Sequence, residues 1–161
     1  MTWKPFVENL PAAQARYSEG TTMALEAGER QIEGIVLFDL RGRLVAGEDA
    51  EDFEMRLAAT LAAGSKSAIL NLKHVGFIDS TGLGAMVGVH SAFERAGGAL
   101  KLLHVSERHA ELLVLTKLST VFDIFDDEQA AIDSFFPDRA VRRFDILDFV
   151  KSEEKEQGGG N

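Results

Sequence analysis

Apolar residues fall along this chain in two rhythms. Met23–Arg30 and Ile35–Arg41 read as extended segments joined at Glu33-Gly34, an acidic residue followed by glycine that suits a tight hairpin. Ile35-Val36-Leu37-Phe38-Asp39-Leu40 is almost continuously apolar, the mark of a strand covered on both faces, and Gly42 is expected to end it. The period then lengthens. Ala50, Phe53, Leu57 and Leu61 recur at three- and four-residue steps, one face of an amphipathic helix that Gly64 closes. Ser67–Leu72 is the next buried strand, and a helical pattern runs from Leu83 to Ala96 with Leu83, Met86, Val87 and Phe93 as its inward stripe. Gly97-Gly98 stops that helix, and Ala99–Val105 makes another strand. Ser106 caps a helix over Glu107–Leu118 with Ala110, Leu113 and Leu118 inward, and Val121–Ile124 is a short edge strand. Asp126 or Asp127 caps a last helix carrying Ala131, Ile132 and Phe135.

Strand–helix–strand units of this length imply parallel pairing with right-handed crossovers. The fold class is therefore α/β, a single domain with a mixed sheet of four to five strands, parallel at its core, and about four helices. The domain is expected to span 22–136, with Pro137 marking its end. An N-terminal extension, 1–21, holds Trp3, Pro5, Phe6 and Pro11 without a clear period. It reads as a loose segment, or as a docking arm. A C-terminal extension, 137–161, mixes apolar and charged residues from Val141 to Val150. That stretch reads either as an extra helix on its own domain or as a recognition segment. Lys151–Asn161, polar and ending in three glycines before Asn161, is expected to be disordered.

Composition narrows the function. Of 161 residues, 45% are hydrophobic and 27% charged, a globular profile. No run of 18 or more apolar residues suggests a membrane span, and no secretory signal is evident. With no cysteine, disulfides and thiolate chemistry are excluded, and a cytoplasmic location fits. A net charge of −9 makes nucleic acid a poor partner. The one basic cluster, Arg139, Arg142 and Arg143, is set among Asp138, Asp145 and Asp148.

The chemistry gathers at Phe77-Ile78-Asp79-Ser80-Thr81-Gly82-Leu83-Gly84, where a strand, a turn and a helix start meet. Asp and Ser are favoured helix N-caps, and a helix N-terminus favours negative charge. Gly82, Gly84 and Gly88 in the first two turns cost roughly 1 kcal/mol each relative to Ala, so close packing on the sheet or close approach of a partner should offset them. Ser80 thus reads as a regulatory hydroxyl phosphorylated by another protein. Asp79 beside it reads either as an orienting group or as a turn former. Enzymatic readings fare worse. A dinucleotide fingerprint would place its third glycine at Val87 and finds it at Gly88, and no phosphate-binding GxxxxGK[ST] loop is present. A nucleophile elbow would need glycine where Ile78 stands. His74, His90, His104 and His109 lack zinc-type spacing, so no metal is expected. The carboxylates Glu48, Asp49, Glu51, Asp52 and Glu54 read as favourable dipole placement at a helix start. No cofactor and no catalytic residue are expected.

Phe77-Ile78-Asp79-Ser80-Thr81-Gly82-Leu83-Gly84 resembles the signature of the STAS family, and specifically of bacterial anti-sigma factor antagonists. The likeness continues through Glu33–Leu44, Arg95–Leu103 and Leu115–Phe122, in register from about Thr22 to Phe136. The resemblance implies a small domain that binds an anti-sigma factor serine kinase while its serine, here Ser80 with Thr81 as alternative, is unphosphorylated. It implies a PP2C-type phosphatase that resets the switch, and a monomer or weak dimer. It suggests partner contacts at Val45, Ala46, Gly47, Asp79, Ser80, Thr81, Gly82, Leu83, Gly84 and Val87. The Val45-Ala46-Gly47 turn departs from the Leu-Asp pair common in the family. Two alternatives remain: a structural subunit of a larger signalling or lipid-transport assembly, and a nucleotide-binding module.

Overall fold

The computed structural model describes residues 24–142 and 144–158, with side chains placed as far as Ser152. The proposed N-terminal extension lies outside the described residues.

Five strands form one sheet in the order β1-β2-β3-β4-β5: Glu26–Ile32, Ile35–Leu44, Ser67–Ile78, Ala99–Leu103 and Ile124–Phe125. β1 pairs antiparallel with β2 through the Glu33-Gly34 turn, and the other pairings are parallel. Between the strands run α1 (Glu48–Ala62), α2 (Ser80–Arg95) and α3 (Glu107–Leu115). A 3₁₀ turn at Leu118–Thr120, α4 (Glu128–Asp133) and α5 (Ile146–Gly158) complete the described chain.

Side-chain alternation on β2 divides the core in two. Val36, Phe38 and Leu40 join one apolar cluster with Phe53 and Leu57 of α1, Met86 and Phe93 of α2, and Leu113 of α3. Ile35 and Leu37 point the other way, into a smaller cluster with Ile69, Leu103 and Phe125, covered by Ala131 and Ile132 of α4. Both faces of β2 are dry from Ile35 to Phe38, which is why that half carries no polar alternation, whereas Asp39, Arg41 and Arg43 alternate on the less covered half.

Several boundaries move. β2 does not stop at Gly42 but continues to Leu44 through register shifts at Asp39/Arg41 and Gly42/Arg43. β3 does not stop at Leu72 but runs to Ile78, pairing Leu44 with Ile78. Its continuation is polar and half-exposed because β4 covers only Ser67–Asn71, so beyond that point β3 has β2 alone as a neighbour. β4 ends at Leu103, ahead of the predicted Val105, where His104 takes a left-handed φ of 57°. α3 ends at Leu115, with Lys117 at φ 64°. The edge strand is Ile124–Phe125, and Leu118–Thr120 turns into it. Asp127, not Asp126, caps α4, its carboxylate accepting from Ala130 N–H at 2.9 Å. On α2 the inward stripe is Leu83, Ala85, Met86, Val89, His90 and Phe93, and Val87 is only partly buried.

The C-terminal segment packs on its own domain. Val150 is buried in the larger cluster, with Phe144, Ile146 and Phe149 against it. The Arg139 guanidinium bonds Glu33 in the hairpin at 2.6 Å and Asp133 of α4 at 2.9 Å, and lies over the Phe136 ring. That arginine therefore serves as a tie within the fold. From Lys151, where composition suggested disorder, the helix continues as far as Gly158.

Candidate functional site

β2 and β3 deliver two turns to the same end of the sheet. The first is Val45-Ala46-Gly47, leading into α1, and the second is Asp79, leading into α2. Gly47 sits at φ 101°, ψ −143°, a backbone shape open to glycine alone, and its carbonyl accepts Glu51 N–H at 3.1 Å to start α1.

Asp79 stitches the turns together. One carboxylate oxygen accepts Gly82 N–H at 2.7 Å and caps α2, while the other accepts Ala46 N–H at 3.0 Å across the sheet. Its own N–H donates to the Leu44 carbonyl at 3.2 Å. The Ala46 hydrogen bond, then that of Gly82, and to a lesser degree Thr81 N–H and the charge of Arg43, hold its pKa below the ordinary 3.8. Of the two roles sequence left open for Asp79, the structural one is seen directly in these bonds.

Ser80 is then the first helical residue and not the cap. It is exposed, as is Thr81, and its hydroxyl makes no hydrogen bond to another described residue. Asp79 satisfies the N–H that a capping serine would otherwise have taken.

The three glycines of α2 differ. A Cβ on Gly82 would collide with the Leu44 carbonyl oxygen, so this glycine exists for the close approach of α2 to the end of β2. Around Gly84 and Gly88 nothing stands within 4 Å of where a Cβ would be, and both are exposed. Internal packing therefore explains Gly82 and does not explain Gly84 or Gly88.

Of the ten residues expected to meet a partner, Gly82 and Leu83 are buried in the domain itself. Val45, Ala46, Gly47, Asp79, Ser80, Thr81, Gly84 and Val87 remain partly or fully exposed, on two adjoining helix starts. Glu48, Asp49 and Glu51 occupy the first turn of α1 beside them. Asp49 is committed internally, accepting Leu25 N–H at 3.2 Å. Sequence reading missed two contributors. Leu44 supplies the carbonyl against which Gly82 packs, and Phe77, part of the signature stretch but given no contact role, is 45% exposed two residues before the cap. Main-chain contacts leave no side-chain signal, and the exposure of Phe77 follows from β3 outrunning β4. Among the described residues, no group of three or more His, Asp or Glu is arranged to hold a metal, and no helix is long and apolar enough to cross a membrane.

Known proteins share parts of this sequence and its fold. The anti-sigma-B factor antagonist of Bacillus subtilis is 45% identical over 53 residues, 33% of this chain and 49% of that protein, so the match spans about half of the relative's length. The putative anti-sigma factor antagonist BtrV of Bordetella bronchiseptica is 26% identical over 105 residues, 65% of this chain and 90% of that protein. The structure of the Bacillus cell fate determinant SpoIIAA in its phosphorylated form superposes with a TM-score of 0.55 at 22% identity, covering 68% of this chain and 98% of that one, a likeness of fold. The STAS domain profile matches residues 29–131, well over half of the sequence and all five strands but the first three residues of β1. The chain belongs to the STAS domain family.

Proposed function

We propose that this protein is an anti-sigma factor antagonist. It binds an anti-sigma factor serine kinase through the paired starts of α1 and α2 while Ser80 is free, and releases it when Ser80 is phosphorylated. A PP2C-type phosphatase would restore the free serine. The observation that carries this reading is the exposed, uncommitted hydroxyl of Ser80 at the first position of a helix whose cap is provided by its neighbour. The names of the Bacillus subtilis and Bordetella relatives support the class of partner. The phosphorylated form of SpoIIAA, alike in fold, supports the kind of modification.

The physical logic is local. A phosphate adds about −1.5 to −2 charges and three acceptor oxygens. At a helix N-terminus the domain accommodates it, since the dipole favours an anion there by roughly 0.3–1 kcal/mol. A partner seated on Gly84 and Ala46 at backbone distance would have to desolvate that charge, which is costly without a matching cation. The switch then acts on the interface and leaves the fold unchanged.

Radiolabelled ATP with the candidate kinase tests the acceptor. Label is expected on the wild type and lost in Ser80→Ala. Equal labelling of both would move the acceptor elsewhere, to Thr81 first. In a pull-down, Ser80→Asp should bind the kinase at least about tenfold more weakly, an interface loss of ~1.4 kcal/mol or more. Equal capture of Ser80→Asp by the kinase would defeat the switch.

A further inference from the structure

A concavity lies away from Asp79–Ser80 and includes neither residue. Between the β5 edge of the sheet and the strap that leads into α5 is a cavity of about 570 Å³. That size lies within the range of small-molecule sites, roughly 300–1,000 Å³. Phe122, Phe125 and, from the strap, Phe144 line it, with Ser119 and Asp123 among the polar groups.

Lys101 in β4 also lines it, only 9% exposed. Its ammonium donates to the Ser134 hydroxyl at 2.9 Å and the Ser134 carbonyl at 3.2 Å, and faces the Phe135 ring at 4.5 Å. Both acceptors are neutral. The Ser134 hydroxyl proton is itself committed to the Ala131 carbonyl. The one carboxylate in reach, Asp123, stands 3.7 Å away with a side chain 69% exposed, too long for a full hydrogen bond. The buried ammonium thus meets its counter-charge only at ion-pair distance from an exposed carboxylate, and its remaining neighbours are the rings of Phe125 and Phe135, a costly arrangement in an apolar wall.

We propose that this cavity binds a small organic monoanion with a flat apolar body. The acid group accepts from Lys101, with the Ser119 hydroxyl as a further donor in the wall, and the ring lies among Phe122, Phe125 and Phe144. Asp123 at the mouth opposes a second negative charge, so dianions such as nucleotides and phosphomonoesters are excluded. Because Val141 and Phe144 come from the strap and Ile146 begins α5, an occupant joins the sheet edge to the C-terminal segment. The inference is independent of the role assigned to Ser80.

The probe is 8-anilinonaphthalene-1-sulfonate, an aromatic monoanion, titrated into the full chain and followed by its fluorescence and by amide NMR. Saturable binding is expected, with shifts concentrated in residues 119–125, 134 and 141–146. Lys101→Met and Phe144→Ala should each weaken it by roughly tenfold or more, and ATP should not compete. Unchanged binding in Lys101→Met with intact circular dichroism, competition by ATP, or shifts centred on Asp79–Gly84 would overturn the proposal. Should Lys101→Met not fold, the wild-type shift map and Phe144→Ala decide by the same criteria.

Discussion

Both oxygens of the Asp79 carboxylate are engaged by backbone N–H groups, and this leaves the neighbouring Ser80 hydroxyl to solvent. Thermal unfolding should separate the two residues. Ser80→Ala changes stability by no more than about 0.5 kcal/mol, the range of a surface substitution. Asp79→Ala, which removes the cap and the bridge to Ala46 together, lowers Tm measurably. Equal effects would mean that the serine shares in the capping. His109, buried on α3, shows a different residue-scale dependence. Neither ring nitrogen has a hydrogen-bond partner among the described residues. Burial first, and the charge of Arg108 second, push its pKa below the ordinary 6.5. The unfolded chain then binds more protons than the folded one just below pH 6.5, so stability falls as the pH is lowered through that region. Urea unfolding of His109→Gln should lose this slope below pH 6.5. An unaltered slope would assign the proton to another group. Asp79, whose pKa is also depressed, contributes in a lower window. Its share is complete above the ordinary 3.8 and fades as the pH falls further.

Among the elements, α2 decides the most. Its N-terminus is pulled onto the end of β2, and its exposed face is left without side chains at Gly84 and Gly88. Substitution with alanine should therefore have opposite signs at two positions two residues apart. Gly82→Ala drives a methyl into the Leu44 carbonyl and should cost roughly 1–3 kcal/mol or more. Gly84→Ala meets nothing and should stabilise the helix by about 0.5–1 kcal/mol, since alanine is the better helix former. If Gly84 is bare to admit a partner, the same variant, more stable by calorimetry, should bind the kinase less tightly. Retained affinity would leave that glycine without a role at the interface. The sequence marked all three glycines as costly but could not separate them. The distinction depends on where a carbonyl from a residue 38 positions earlier comes to rest.

At the scale of the whole molecule, surface ties hold the hairpin to the far end of the domain. Arg30 bonds Asp39 at 2.6 Å and Glu128 at 2.8 Å, and Arg139 bonds Glu33 and Asp133. These pairs are partly exposed, so each contributes little singly and is weakened by salt. Apolar closure by Phe144, Phe149 and Val150 does more than these pairs to dock α5. Pro137 therefore ends a pattern in the sequence without ending the packed unit. The tie from Arg139 and the burial of Val150 both cross that point.

The sequence alone determined the α/β class, the parallel core and the strand–turn–helix at Asp79-Ser80, because hydrophobic period and cap chemistry are local and survive without knowledge of neighbours. It also pointed to the family, since the signature lies in one unbroken stretch. Only the tertiary structure decided that Asp79 and not Ser80 caps α2, that β3 continues to Ile78, that Gly82 packs on the Leu44 carbonyl, and that Arg139 reaches Glu33. Each of these depends on main-chain atoms or charges brought together from distant parts of the chain. Such contacts have geometry but no periodicity, and a reading of residue types along a line does not contain them.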